Sequence, residues 1–166
     1  MDNEKCGSAI CGLLSMTYLY QIVILMKVLM ASVLSLIFFS IAVLHIYWGF
    51  GGKEGTAATI PTKENSKPVI NPGPIACFVV GIGLSSFGVL VLTKAGIILF
   101  ALPVWLLNSG LWATAAIFLL RAIGEFKYVG FFKEIKTTRF GEMDTTYYSP
   151  LCLVVGILVV ILELVN

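Results

Sequence analysis

Titratable side chains gather in two separate parts of an otherwise apolar chain. His45 is the single histidine, and Arg121, Glu125 and Asp144 lie in a later segment. An imidazole changes charge near neutral pH, carboxylates exchange protons, and a guanidinium binds anions. We therefore predict an acid–base site in which His45, Glu125 and Asp144 are catalytic. His45 is expected to donate or accept a proton, Arg121 to contact an anionic group, and Asp144 to fix the loop.

Aromatic, amide and guanidinium side chains extend this predicted site to ligand binding. They are Tyr47, Trp48, Asn108, Trp112, Arg121, Tyr147 and Tyr148. Arg121 and Glu125 are spaced i, i+4, which predicts that they pair on one face of a helix. Asn108 is polar and lies deep within an apolar segment, where it bonds another helix or faces a cavity. The sequence predicts no metal site and identifies no cofactor.

Most of these groups also have a structural interpretation. A histidine inside an apolar segment can bond a neighbouring helix. A tryptophan near a membrane surface, such as Trp48, is commonly an anchor. Arg121 can extend toward the surface, with Glu125 as its solvated partner. The residue types alone leave both interpretations open.

The composition shows which class of protein must position these groups. Of the 166 residues, 58% are hydrophobic and 12% are charged, and the mean hydropathy is +0.97. These values exclude a water-soluble globular domain and a disordered chain. A net charge of only +2 argues against a nucleic-acid partner. We therefore expect an integral membrane protein whose partners are membrane lipid and a small amphiphilic ligand.

Four apolar stretches are long enough to cross a bilayer, because a core of ~30 Å requires about 20 helical residues. They cover residues 28–50, 75–93, 97–120 and 150–165. The predicted fold is all-α, a four-helix transmembrane bundle with an aromatic and basic interfacial loop before the last helix. Residues 1–27 are predicted to form an amphipathic N-terminal extension, and residues 28–166 a single membrane domain.

Prolines and glycines mark the predicted ends of the spans. Pro74 and Pro150 suit the first turn of a helix, and Ser149 is expected to cap the last span. A short polar break at 94–96 predicts a tight hairpin between the second and third spans, with small residues packed between them. Pro103 falls inside the third predicted span, where a kink is expected.

Basic residues are unevenly divided between the two sides of the predicted bundle. Eight lie in or beside loops 51–74 and 121–149, and three lie on the other side. The positive-inside rule therefore predicts that these two loops are cytoplasmic in a multi-pass protein of the cell membrane. Cys77 and Cys152 lie at the cytoplasmic-side starts of their spans and are expected to be reduced, although a pairing between them stays open.

Three sequence blocks, taken together, resemble a known family. They are HIYWGFGG at 45–52, RAIGEF at 121–126 with GFFK at 130–133, and YSPLC at 148–152 preceded by Phe140 and Asp144. This combination resembles small bacterial integral membrane proteins known as domain of unknown function three-nine-nine-five, over roughly residue 30 to the C-terminus. The resemblance implies that the blocks form a shared site on the cytoplasmic side, and it implies no activity.

Three classes of function are compatible with these residues. The favoured class is a membrane protein that binds a small amphiphile or lipid at a polar cytoplasmic site, with or without transforming it. A structural or partner-binding membrane subunit and a small oligomeric transporter are the alternatives. The third loop, which is rich in aromatic side chains, is expected to fold over the site as a lid. Whether the protein is an enzyme and what its oligomeric state is stay open.

Overall fold

The part of the chain that the structure describes contains four candidate membrane-spanning helical segments. The computed structural model describes the backbone of residues 2–62, 68–69 and 72–165 and, within these ranges, the side chains from Met16 onward except at position 57. The helices are α1 Asp2–Gly49, α2 Thr56–Thr59, α3 Pro74–Lys94, α4 Val104–Ile123, α5 Arg139–Met143 and α6 Ser149–Leu164, with a turn of π-helix at Asp144–Tyr148 between α5 and α6. The segments long and apolar enough to span a membrane are Met16–Gly49, Pro74–Lys94, Val104–Ile123 and Arg139–Leu164. The predicted all-α four-span fold is confirmed.

The bundle consists of two antiparallel helix pairs, α1 with α3 and α4 with α6. Gly81 of α3 lies so close to α1 that a Cβ placed there would be 3.0 Å from a side-chain carbon of Ile46. Gly156 of α6 is similarly covered by Leu119 of α4. Small residues thus allow close backbone approach within each pair, as is common between membrane helices.

An aromatic core joins the two pairs. Phe38 of α1 is fully buried, and its ring centroid lies 6.1 Å from that of Phe87 on α3 and 5.4 Å from that of Phe118 on α4. Leu34, Leu111 and several valines complete this core. The antiparallel order places the loops that follow α1 and α4 at the same end of the bundle, which we call the loop end.

The expected tight hairpin between the second and third spans is wrong. α3 packs mainly against α1, and the chain between Lys94 and Val104 is a nine-residue connection. Pro103 precedes the first residue of α4 with extended backbone (φ −58°, ψ 138°), so it kinks no helix. The reason is that a proline at the start of a helix removes no intrahelical hydrogen bond, whereas one inside it does.

The last span begins earlier than residue 150. Helical structure starts at Arg139, where the Thr138 hydroxyl accepts the Gly141 N–H at 3.0 Å as a side-chain cap. Ser149 therefore lies inside a helical segment, and its hydroxyl donates to Asp144 at 3.1 Å. The predicted capping role of Ser149 is wrong.

The first helix continues through Lys27 without a break. All side chains from Met16 to Met26 are exposed, and burial in α1 begins at Ala31. A candidate span of 34 residues is longer than the about 20 that a bilayer core requires. α1 consequently extends beyond the bundle at the end opposite the loops. Residues 63–67 and 70–71 of the predicted first loop, and the side chains of residues 1–15, lie outside the described residues.

A buried ion pair ties three helices together at the end opposite the loops. Lys94 Nζ, at the end of α3, lies 2.8 Å from Glu163 Oε2 on α6 and donates to Asn108 Oδ1 of α4 at 2.9 Å. The Lys94 and Glu163 side chains are 6% and 10% exposed. Asn108 thus binds a lysine far from the loop end, where the predicted site residues His45 and Arg121 lie.

Replacing Glu163 by leucine is expected to lower the free energy of unfolding by about 2–3 kcal/mol. The substitution leaves Lys94 charged and nearly buried, and breaking a buried ion pair from one side costs several kcal/mol. A double variant, Lys94→Met with Glu163→Leu, should recover most of the loss because no unpaired charge remains. The free energy of unfolding in detergent micelles would be measured for the native protein, Glu163→Leu and the double variant. The prediction is wrong if the double variant is less stable than Glu163→Leu.

Candidate functional site

A fully buried carboxylate, Asp144, organises the loop end. Its Oδ1 accepts from Arg121 Nη2 at 2.9 Å, and its Oδ2 accepts from Lys133 Nζ at 2.8 Å. Oδ2 also accepts the Gly130 N–H at 2.9 Å and the Ser149 hydroxyl at 3.1 Å. Both oxygens are therefore occupied by this chain's own donors, and the predicted catalytic role of Asp144 stays a prediction.

The Asp144 cluster carries an excess positive charge. Lys133 is as fully buried as Asp144, while the Arg121 side chain is 34% exposed. Lys133 additionally donates to the Gly130 carbonyl at 3.1 Å. Two cations share one carboxylate, and buried charges need compensation. A further negative group near Arg121 would neutralise the remaining positive charge of the cluster.

Two glycines allow the third loop to fold back onto the end of α4. Gly124 ends the helix with φ 84°, and Gly130 has φ 92°. The two backbones cross so closely that a Cβ on Gly130 would overlap the Ile123 carbonyl oxygen. The Phe131 N–H then donates to the Ala122 carbonyl at 2.9 Å. This crossing carries Gly130 and Lys133 to Asp144.

Beside this cluster, a cavity of about 960 Å³ opens between the helices at the loop end. Its deep wall is apolar and includes Leu84, Phe87 and Phe118. Polar groups line the other part, namely His45, Lys53, Thr56, Thr59, Arg121, Tyr148 and the thiols of Cys77 and Cys152. Among the residues that the structure describes, the charged ones on the wall are Lys53 and Arg121, both basic. The cavity is thus apolar inside and positively charged near the loops.

His45 is held in one orientation on the cavity wall. Its Nδ1 is 2.9 Å from the Ile41 carbonyl oxygen, and its ring packs edge-on against Trp48 with centroids 5.1 Å apart. A carbonyl oxygen only accepts, so Nδ1 is assigned the proton of this contact. In the neutral imidazole, Nε2 then carries a lone pair, and no hydrogen-bond partner of Nε2 lies among the described residues.

Residues from the segment 51–60 of the first loop line part of the cavity. The Trp48 indole donates to the Glu54 carbonyl at 2.8 Å, and the Gly52 N–H donates to the Tyr47 carbonyl at 3.1 Å. Gly51 to Thr59 contributes several residues to the wall, whereas residues 124–138 contribute none. Phe140 and Tyr148, which belong to the predicted third loop, do line the cavity, so the expected lid stays a prediction. The segment 124–138 of that loop is tied to Asp144 beside the cavity.

The structure brings together some of the predicted site residues and separates others. His45, Trp48, Arg121 and Tyr148 line the cavity, and Asp144 lies beneath Arg121. Asp144 and five other predicted residues are not on its wall. The Tyr47 ring packs on Gly52. The side chains of Tyr147 and Glu125 are exposed. Asn108 and Trp112 lie nearer the start of α4 than Arg121 does.

The expected pairing of Arg121 with Glu125 is wrong. α4 ends at Ile123, so the i, i+4 geometry that pairs side chains on a helix is not reached. Arg121 pairs with Asp144, 23 residues later in the chain.

Two features of the site were not predicted from the sequence. They are the burial of Lys133 and the position of Cys77 and Cys152 on the cavity wall. Lys133 lies in a loop among other basic residues, and nothing in its local sequence marks it as buried. Cys77 and Cys152 both line the cavity as free thiols. The available signal in the sequence was that each cysteine lies near the loop-end start of its helix, Cys77 in α3 and Cys152 in α6.

Together, the four spans, the buried cluster and the cavity define an integral membrane four-helix protein with a lined cavity at its loop end. The profile of a family described as protein of unknown function (DUF3995) matches residues 38–159. The chain belongs to this family, as the resemblance of its three blocks predicts. A search of curated proteins and a search of solved structures each found no match.

Proposed function

We propose that this protein binds a small amphiphile or lipid in the loop-end cavity, with the apolar chain inside and the head group beside Arg121. The observation that carries the proposal is the cavity itself, about 960 Å³ with an apolar interior and a basic rim. Ligand sites have volumes of roughly 300–1,000 Å³ and few polar groups. This cavity has both properties.

The distribution of side chains supports one orientation of the ligand. Phe87 and Phe118 lie on the wall near the aromatic core, whereas Thr56 and Arg121 lie near the loops. Burial of an alkyl chain against the aromatic wall contributes ~25 cal/mol per Å² of apolar surface. The head group then lies near the loops, where Thr56 and Arg121 provide polar partners.

The loop end is proposed to face the cytoplasm of a cell-membrane protein. The eight basic residues beside the spans at this end, against three at the other, support this orientation. A ligand would accordingly enter from the cytoplasmic leaflet or from the cytoplasm. If the protein transforms its ligand, His45 is the proposed acid–base group, since it is the single histidine and lines the cavity.

One observation favours the structural alternative, a subunit whose polar cluster locks the loops. Asp144 is fully buried, and both of its oxygens are bonded within the chain. This saturation explains the cluster without a ligand, but it does not explain the neighbouring cavity. The two proposals therefore differ in what they predict for the cavity.

Filling the cavity tests the proposed function. Gly83 lines it, and a Cβ placed there meets no atom within 4 Å. Gly83→Leu should therefore occupy ligand space without disturbing the packing, and the fraction of protein carrying a bound amphiphile should fall at least about tenfold. Native mass spectrometry of protein released from micelles measures this fraction.

The matched control is Ala113→Leu, which adds a similar side chain at an exposed position of α4. It should leave both the bound amphiphile and the stability unchanged. Equal ligand retention in the two variants, or no retained ligand in the native protein, would contradict the proposed function and favour the structural alternative.

A further inference from the structure

We propose that the ligand of the loop-end cavity is a single-chain acid, with a carboxylate or phosphate head group that binds the Arg121 guanidinium and His45 Nε2. This inference rests on the proposed function and specifies its ligand. Four observations support it, namely an unused guanidinium nitrogen, the charge of the wall, the orientation of His45 and the cavity volume.

Arg121 uses only part of its hydrogen-bonding capacity. Nη2 donates to Asp144, whereas Nη1 is buried and has no hydrogen-bond partner among the described residues. Buried polar groups almost always have a partner, so a buried guanidinium nitrogen without one indicates a missing acceptor. Arg121 lines the cavity, so a head-group oxygen that reaches the guanidinium would supply this acceptor.

The charge of the wall selects an anion. Arg121 and Lys53 are the charged residues that line the cavity, and no aspartate or glutamate does so in the described parts of the chain. Asp144 is shared between Arg121 and Lys133, and among the described residues no second carboxylate pairs with either cation. An anionic head group gains attraction here, whereas a cationic one is repelled.

His45 selects a head group that also carries a proton. With Nδ1 bonded to the Ile41 carbonyl, Nε2 of the neutral ring accepts a hydrogen bond. A singly protonated phosphate supplies an O–H for Nε2 and a charged oxygen for Arg121, whereas a carboxylic acid supplies the O–H but becomes an anion only when its proton passes to Nε2. If the proton passes fully to Nε2, an O–H bond breaks and an N–H bond forms, leaving the oxyanion between two cations.

The volume favours one alkyl chain. About 960 Å³ lies at the upper end of the range that encloses small ligands, roughly 300–1,000 Å³. One chain with a small head group fits within this volume, whereas part of a two-chain membrane phospholipid would have to lie outside it. A fatty acid and an alkyl phosphate share this chemistry and differ only in the head group.

A head-group series on the native fold tests the inference without altering the site. Trp48 lines the cavity, so a Trp105→Phe/Trp112→Phe protein would report ligand through Trp48 fluorescence alone. Four brominated C16 quenchers would be titrated in micelles: the carboxylic acid, the phosphate monoester, the alcohol and the trimethylammonium salt. The same titrations on a Gly83→Leu version would give the quenching that arises from the micelle.

The acids should bind at least tenfold more tightly than the alcohol, and the trimethylammonium compound should bind weakest. The tighter of the two acids identifies the head group. Equal binding of acid and alcohol would overturn the inference while leaving the proposed function standing. If every probe quenches the Gly83→Leu protein as strongly as the protein that retains Gly83, both the inference and the proposed function are overturned.

Two substitutions separate the contributions of the contacts. Arg121→Lys keeps the charge beside Asp144 but removes Nη1, and His45→Phe keeps a ring but removes Nε2. Each should weaken binding of the preferred acid about tenfold, the usual effect of losing one hydrogen bond to a charged group. Tyr20→Phe, at an exposed position of the same helix as His45, should have no effect. Unchanged acid binding in His45→Phe would remove His45 from the proposed site.

Discussion

Asp144→Asn is expected to cost about 5 kcal/mol of stability, and so to leave little or no folded protein. The substitution removes the counter-charge of Lys133, which is fully buried, and of Arg121 at the same time. Removing one partner of a buried ion pair typically costs 3–5 kcal/mol, and here two cations lose theirs. Since whole domains are stable by only about 5–15 kcal/mol, this loss is decisive.

Thermal unfolding in detergent, together with yield from membranes, measures the effect. Glu142→Gln is the matched control, because it neutralises an exposed carboxylate two residues away. Lys133→Met should be milder than Asp144→Asn, since Asp144 keeps Arg121, Gly130 and Ser149 as donors. An Asp144→Asn protein as stable as Glu142→Gln would show that the cluster does not hold the loop end together.

Gly130→Ala is expected to lower the free energy of unfolding by about 4 kcal/mol. Gly130 has φ 92°, which L side chains rarely adopt, and this conformation alone costs about 1–3 kcal/mol. In addition, the new Cβ would overlap the Ile123 carbonyl oxygen and the Gly124 backbone. Neither is a flexible side chain that can move aside, and relief of such overpacking typically costs another 1–3 kcal/mol.

Gly51→Ala separates the two contributions. Gly51 has nearly the same backbone angle, φ 90°, but a Cβ there meets nothing within 4 Å. It should therefore show only the conformational cost, about 1–3 kcal/mol. Denaturant unfolding of the two variants side by side measures the difference. Equal destabilisation by the two substitutions would mean that the crossing of the third loop over α4 contributes nothing.

The buried cluster and the cavity are connected through Arg121. Asp144 holds one side of the guanidinium, and Ser149, Gly130 and Lys133 hold Asp144. A group whose position is fixed in this way loses little conformational freedom when a ligand binds. The cluster thus orients Arg121 on the cavity wall, while both oxygens of Asp144 are bonded within the chain.

The sequence by itself determined the class of protein and the number of spans. Without water in the bilayer core, each crossing segment must satisfy its own backbone hydrogen bonds, so about 20 apolar residues in a row predict a helix. This requirement is local, and the four stretches predicted from it correspond to the four spans in the structure. Pro74 at the start of α3 was predictable for the same reason, because its missing N–H affects only its own turn.

Only the tertiary structure decided which charges meet and where the cavity lies. Arg121 could pair locally with Glu125, but Gly124 ends the helix and Asp144 arrives from 23 residues away. The burial of Lys133 depends on the third loop crossing over α4, and no neighbouring residue indicates it. The cavity depends on α3 packing on α1 rather than on α4, a choice between equally apolar partners. Hydropathy places each helix in the membrane, but it does not distinguish one apolar neighbour from another, so pairing follows from side-chain shape and small-residue contacts.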